Sequence, residues 1–124
     1  MKRCLRVLLV EDDSVLGPLT IYALDALGHE SVLATSTEAA YSCLARSEQS
    51  FEVVLLDLQL DSRRSEPVIE ALRERGFVVP PIIIVSAQSD DELRRAMRLT
   101  QAKAFIQKPA SLQQIEHAIA EAVA

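Results

Sequence analysis

The chain has 124 residues, 49% of them hydrophobic and 25% charged, with 3 glycines, no tryptophan and a formal net charge of -5. That profile fits one folded domain spanning residues 1–124 and excludes a disordered or fibrous chain. The acidic balance argues against direct nucleic-acid binding, which needs a basic face to neutralise phosphates.

The opening, MKRCLRVLLVEDD, sets basic residues before an apolar run as a signal peptide does, but the run is short, ends in acids and lacks a small-residue cleavage site. No segment is long enough to span a membrane. Cys4 and Cys43 are too few for a disulfide framework and are not spaced as metal ligands, so both read as reduced, packed thiols of a cytoplasmic protein.

Residues 5–10 (LRVLLV) predict a buried strand, and the polar EDDS that follows leads into a helix carrying Val15, Leu16, Leu19, Tyr22, Ala23 and Leu27. Pro18 suits its first turn and Gly28 its stop. A strand over 31–34 precedes a helix over about 38–48 with Ala39, Ala40, Cys43 and Leu44 on one face. The run 51–56 predicts a third strand that ends at Asp57. Pro67 opens a helix with an apolar stripe of Val68, Ile69 and Leu72, stopped at Gly76. Pro80-Pro81 punctuates the chain before the strand 82–85 (IIIV), a helix follows over 90–99, then a strand over 104–107 and a last helix opened by Ser111. The arginines 63, 64, 73, 75, 94, 95 and 98 form either a small basic patch or solvated helix faces.

Five strands alternating with five helices imply an α/β fold in which parallel strands are joined by helical crossovers. Continuous apolar runs imply a doubly wound five-stranded sheet with helices on both faces. In such sheets the functional crevice lies beyond the carboxyl ends of the strands. The strand-end residues are Glu11, Asp12 and Asp13, then Asp57, then Ser86, then Lys108 with Pro109.

Asp57 raises the sharpest question, because it closes the apolar run VVLLDLQL, where an unpaired buried charge is costly. Acids converging on it would repel one another unless a cation lay among them. An all-oxygen set with few protein ligands suits hydrated Mg²⁺ better than zinc. A carboxylate beside a divalent cation and a lysine can attack phosphorus and become an acyl phosphate. Ser86 and Lys108 would then each engage a phosphate oxygen. The histidines, His29 and His117, have no ligand partner at useful spacing and read as surface or half-buried.

Taken together, LLVEDD, LLDLQL, IIIVSA and FIQKP stand in the order and approximate spacing of the receiver domain of two-component response regulators, and the sequence resembles that family across essentially its whole length. The resemblance implies a flavodoxin-like strand order, 2-1-3-4-5. It implies that Asp57 is the phosphoacceptor, with Mg²⁺ held by Asp12, by Asp57, by the backbone carbonyl of Gln59 and by Glu11 through water, and Asp13 ranking third among the loop acids. It makes Lys108, in a Lys-Pro pair whose peptide is cis in the family, and Ser86 the partners of the phosphoryl group, with Ser86 and Phe105 as the switch pair. Gln59 and Gln88 fall at positions that tune phosphoryl hydrolysis. The implied partners are a histidine kinase or phosphotransfer protein and a downstream protein target bound through the helix 90–99, strand 104–107 and helix 111–123. The resemblance implies no direct nucleic acid, no membrane, and a monomer or weak dimer. Beyond self-phosphorylation from a donor and slow self-dephosphorylation, no enzyme activity is implied.

Three departures stand out. Asp61 and Ser65, within LDSRRSEP, replace the proline and glycine usual in the loop after the phosphoacceptor, and Arg63 and Arg64 offer to offset the added charge of Asp61. Phe105 replaces the commoner tyrosine. Two other readings compete: a receiver-like docking module that is never phosphorylated, and an Asp-nucleophile phosphatase resembling the haloacid dehalogenase group. The phosphatase needs a general acid two residues after the nucleophile, where this chain has Gln59.

Overall fold

The strands form where branched aliphatic residues run together, and a computed structural model describes them along with the rest of residues 4–46, 50–60 and 63–124. Strand β1 (Arg6–Val10) leads to helix α1 (Leu16–Ala26), β2 (Glu30–Ala34), α2 (Thr37–Ala45) and β3 (Val53–Asp57). A two-residue pair, β4 (Gln59–Leu60) and β5 (Arg63–Arg64), precedes α3 (Glu66–Glu74). The remainder is β6 (Ile82–Ser86), α4 (Asp90–Thr100), β7 (Ala104–Gln107) and α5 (Leu112–Val123).

Strands β2-β1-β3-β6-β7 make one sheet in that order, and every pair in it is parallel. This is the doubly wound five-stranded sheet expected from the sequence, with the 2-1-3-4-5 order that the resemblance implied. Strand β3, in the middle, is buried along its whole length, as a strand covered on both faces must be. On one side Leu8, Val54, Leu56 and Ile84 pack with Ala40, Ile69 and Leu93 of α2, α3 and α4. On the other, Leu9, Val53, Leu55 and Ile83 pack with Leu24 of α1 and Ile115 and Ile119 of α5.

Local chemistry sets the helix ends. The Ser36 hydroxyl accepts from Ala39 N–H at 3.0 Å to start α2, and Ser111 forms a reciprocal capping box with Gln114 at the start of α5. Helix α1 ends on Gly28 at φ +88°, where the N–H of His29 donates to the carbonyl of Leu24 and that of Gly28 to Asp25. Only glycine takes that left-handed step without strain.

Three expectations need correction. Of the α1 residues that carry the expected helical pattern, Leu19 and Tyr22 are 59% and 76% exposed, whereas the buried positions are Gly17 and Leu24, which that pattern does not include. The helix meets the sheet through a narrower stripe than its composition suggests. Helix α2 begins at Thr37 because Ser36 is its cap, and it ends at Ala45 rather than near residue 48, since Arg46 is already extended at φ -84° and ψ 123°. Cys4, which precedes β1, is exposed rather than packed, and Cys43 is half-buried; both are free thiols. Among the described residues no helix is long and apolar enough to cross a membrane.

Candidate functional site

Strand β1 has β2 on one side and β3 on the other, so the order of the sheet reverses there, and a crevice opens beyond its carboxyl end. Glu11 follows β1, held by its N–H to the carbonyl of Ala34 at 3.0 Å, and it is buried. Asp57 ends β3 and is 8% exposed. Lys108 follows β7, and its N–H donates to the carbonyl of Ser86 at 2.9 Å, fixing it beside the end of β6. Its peptide bond to Pro109 is cis.

Lys108 Nζ donates to Glu11 Oε1 at 2.7 Å and to Asp57 Oδ2 at 3.2 Å. The other Asp57 oxygen accepts from Gln59 N–H at 3.2 Å. Carboxylate oxygens of Glu11, Asp12 and Asp57 all lie within 4.8 Å of one another. Burial pushes the Asp57 carboxyl up to about 7, and the hydrogen bond and like charge of Glu11 push the same way, against Lys108 and Gln59. Burial works to raise Glu11 too, but its hydrogen bonds with Asp57 and Lys108 leave it below the ordinary carboxylate value. Burial also opposes the charge on Lys108, yet Glu11 and Asp57 hold it above the usual lysine value. One ammonium does not balance the buried acids, and either a proton on Asp57 or a cation among the carboxylates would offset the excess charge.

That imbalance bears on Mg²⁺. The donors are hard oxygens without histidine or thiolate, as that ion prefers, and they are crowded enough that a divalent charge relieves their repulsion. An acidic pocket suited to the metal is therefore present at Glu11, Asp12 and Asp57.

The other residues named from the sequence divide into two groups. Ser86 is buried, its Oγ accepting from Gln88 N–H at 3.0 Å, one strand away from Asp57. Asp13 turns away from the crevice: its Oδ1 accepts from Val15 N–H and Leu16 N–H, both at 2.8 Å, and these bonds hold its pKa below the ordinary value. Asp13 starts α1 instead of joining the cluster. Phe105 is 51% exposed on the outer face of β7. His29 Nδ1 accepts from Leu5 N–H, and His117 meets Glu121 one turn along α5, so both are engaged away from the site.

Asp61 lies outside the described residues, and the arginines near it do other work. Arg63 pairs with Glu38 at 2.7 Å, and Arg64 with Glu66 at 3.0 Å. The replacement of glycine by Ser65 costs nothing in backbone strain, because its φ of -95° and ψ of -17° suit any residue. Its fully buried hydroxyl donates to the Asp57 carbonyl at 2.6 Å. Sequence reasoning missed that bond, and also the contact of Arg64 Nη1 with Gln88 Oε1 at 3.0 Å. The only available signal was that Ser65 and Gln88 both sit in turns after strand ends.

On the α1 side, Asp57 and Lys108 open into a cleft of ≈ 540 Å³ lined mainly by apolar residues, among them Leu16, Leu19, Pro109 and Leu112. Among the described residues Asp57 is the buried aspartate, gripped by a lysine and open to a cleft, which suits a module charged and discharged at one carboxylate, as a phosphate-responsive signalling domain is. Residues 7–120 match the family described as the response regulator receiver domain, and the chain belongs to that family, the phosphoacceptor modules of two-component signalling.

The chain is 33% identical to Ethylene receptor 2 of Oryza sativa subsp. japonica over 110 residues, covering 87% of this chain and 14% of the receptor. It is 29% identical to the transcriptional regulatory protein CrdR of Helicobacter pylori over 112 residues, 90% of this chain and 51% of that one. It thus spans about half or less of these relatives. Among solved structures, the chemotaxis protein CheY4 of Vibrio cholerae superposes with a TM-score of 0.84 at 16% identity, over 97% of this chain and 99% of that one. The non-phosphorylated HemR receiver domain of Leptospira biflexa gives 0.77 at 28% identity, over 96% and 94%.

Proposed function

We propose that Asp57 is the phosphoacceptor of this receiver domain and takes its phosphoryl group from a phosphohistidine on a kinase or phosphotransfer protein. The observation that carries this reading is the buried Asp57 carboxyl, displaced to about 7 and held by Lys108 at 3.2 Å. In the transfer an oxygen of Asp57 bonds to phosphorus as the bond to the donor nitrogen breaks, and the imidazole leaves. Lys108 stays with the pocket and draws charge from the incoming phosphoryl oxygens. Asp12, Asp57 and the Gln59 carbonyl are the proposed ligands for Mg²⁺, with Glu11 acting through water. The ion, when bound, would keep Asp57 ionised and neutralise charge on the phosphoryl group.

The open, apolar cleft beside α1 supports entry of the donor from that side, since exposed Leu16 and Leu19 on its rim offer a partner helix surface to cover. The α4–β7–α5 face, with exposed Leu99 and Phe105, is the proposed output surface in the cytoplasm, with Ser86 and Phe105 as the switch. Treatment with phosphoramidate and Mg²⁺ should add one phosphoryl mass to the protein, read by intact-mass spectrometry, and Asp57→Asn should abolish the gain. Labelling of Asp57→Asn at the parent level would place the nucleophile elsewhere.

A further inference from the structure

The two sides of Asp57 are unlike. Toward α1 the pocket is open and apolar, whereas toward the starts of α3 and α4 a chain of polar side chains crosses it. Gln59 and Gln88 stand two residues beyond Asp57 and Ser86, and each turns its backbone N–H back onto that residue, at 3.2 Å to Asp57 Oδ1 and 3.0 Å to Ser86 Oγ. Their side chains then meet, Gln88 Nε2 donating to Gln59 Oε1 at 2.8 Å. A carboxamide has one donor end and one acceptor end, so whatever donates to its oxygen also decides where its nitrogen points. Arg64 is that donor, through Nη1. Its other nitrogens, Nε and Nη2, grip Glu66 at 3.0–3.2 Å, and Glu66 is 5% exposed, so the guanidinium is anchored before it reaches Gln88. The line Glu66, Arg64, Gln88, Gln59 runs from the first turn of α3 to the shoulder of Asp57.

We propose that Arg64 is a positioning residue that holds Gln88 against Gln59 and so closes this side of the pocket to the water that hydrolyses the aspartyl phosphate. The inference rests on Asp57 being the phosphoacceptor. In the hydrolysis, water oxygen bonds to phosphorus, the bond from phosphorus to the Asp57 oxygen breaks, and the products are the carboxylate, inorganic phosphate and a proton. Without Arg64 the Gln88 amide gains freedom to rotate, and holding it across the pocket then costs side-chain entropy that only its bond to Gln59 offsets.

The test follows loss of the phosphoryl mass from full-chain protein loaded with phosphoramidate and Mg²⁺ and then freed of donor. Arg64→Lys leaves a cation for Glu66 but lacks the fork that spans Glu66 and Gln88 together, so the fold is retained while the clasp is lost. Arg64→Lys and Gln88→Ala should each speed the loss roughly three- to tenfold, the worth of one such hydrogen bond. The double variant should be no faster than Gln88→Ala alone, because Arg64 acts only through Gln88. In the unphosphorylated parent, the two Gln88 side-chain amide protons should be shifted apart in an NMR spectrum, and Arg64→Lys should move them toward free-amide positions. An unchanged rate in Arg64→Lys, or additive effects in the double variant, would overturn the role of Arg64. A parent that takes up no phosphoryl group would overturn the assignment of Asp57 as well.

Discussion

At the scale of single residues, Asp57 couples the site to pH. Its carboxyl titrates near 7 in the folded, metal-free protein against 3.8 ordinarily, so the folded state keeps a proton that the unfolded chain gives up. A group raised in this way contributes stability that is complete below the ordinary value and is lost as pH climbs through about 7. Glu11 works in the opposite direction: its lowered pKa contributes above the ordinary 4.5 and is lost as pH falls. Asp57→Asn removes the first effect and also the Asp57 share of the second, but between about pH 5 and pH 8 the first dominates, because a lowered Glu11 is ionised across that range. The variant's gain in stability should therefore be larger at about pH 8 than at about pH 5, by on the order of 2–3 kcal/mol. Thermal unfolding at the two pH values in chelator-treated buffer measures this, and an equal gain at both would mean that Asp57 does not titrate between them.

At the scale of elements, the turn from β6 into α4 joins the pocket to the outer face. Ser86 is buried at the end of β6, and its carbonyl holds the Lys108 N–H at the end of β7, so a shift of Ser86 toward a phosphoryl group moves both strand ends. Ser86→Ala should leave phosphorylation of Asp57 possible while weakening the response of residues 90–124. Amide chemical shifts with and without a phosphoryl mimic read this directly, and equal responses in parent and variant would sink the link. The strands themselves were legible because a parallel sheet covered on both faces leaves continuous aliphatic runs such as LRVLLV and IIIV, and the glutamate, aspartates and lysine of the pocket were legible because they end those runs. The short β4–β5 pair was not. It is flanked by a Ser65 hydroxyl reaching back to Asp57 and an Arg64 reaching Gln88, 24 residues on, and neither contact leaves a periodic trace. The α1 stripe was misread for a related reason: composition records that residues are apolar, not which of them a partner covers.

At the scale of the whole molecule, two apolar layers share one sheet, and β3 serves both, with Leu55 facing α1 and α5 and Leu56 facing α2, α3 and α4. Both side chains are almost fully buried. Leu55→Ala should therefore cost about 2–5 kcal/mol and lower the urea midpoint without changing the slope. A cost under about 1 kcal/mol would mean that the α1–α5 layer collapses freely around the gap.

The grip of Lys108 also carries a consequence for how the chain comes together. Lys108 lies 51 residues from Asp57 and 97 from Glu11, so the pocket is made of long-range contacts, the kind a growing or refolding chain acquires late. Without β7 in place, Glu11 and Asp57 would face each other at the ends of β1 and β3 with no ammonium between them. A partly assembled molecule would then carry a conflict of like charges in its pocket, and docking of β7 would resolve it.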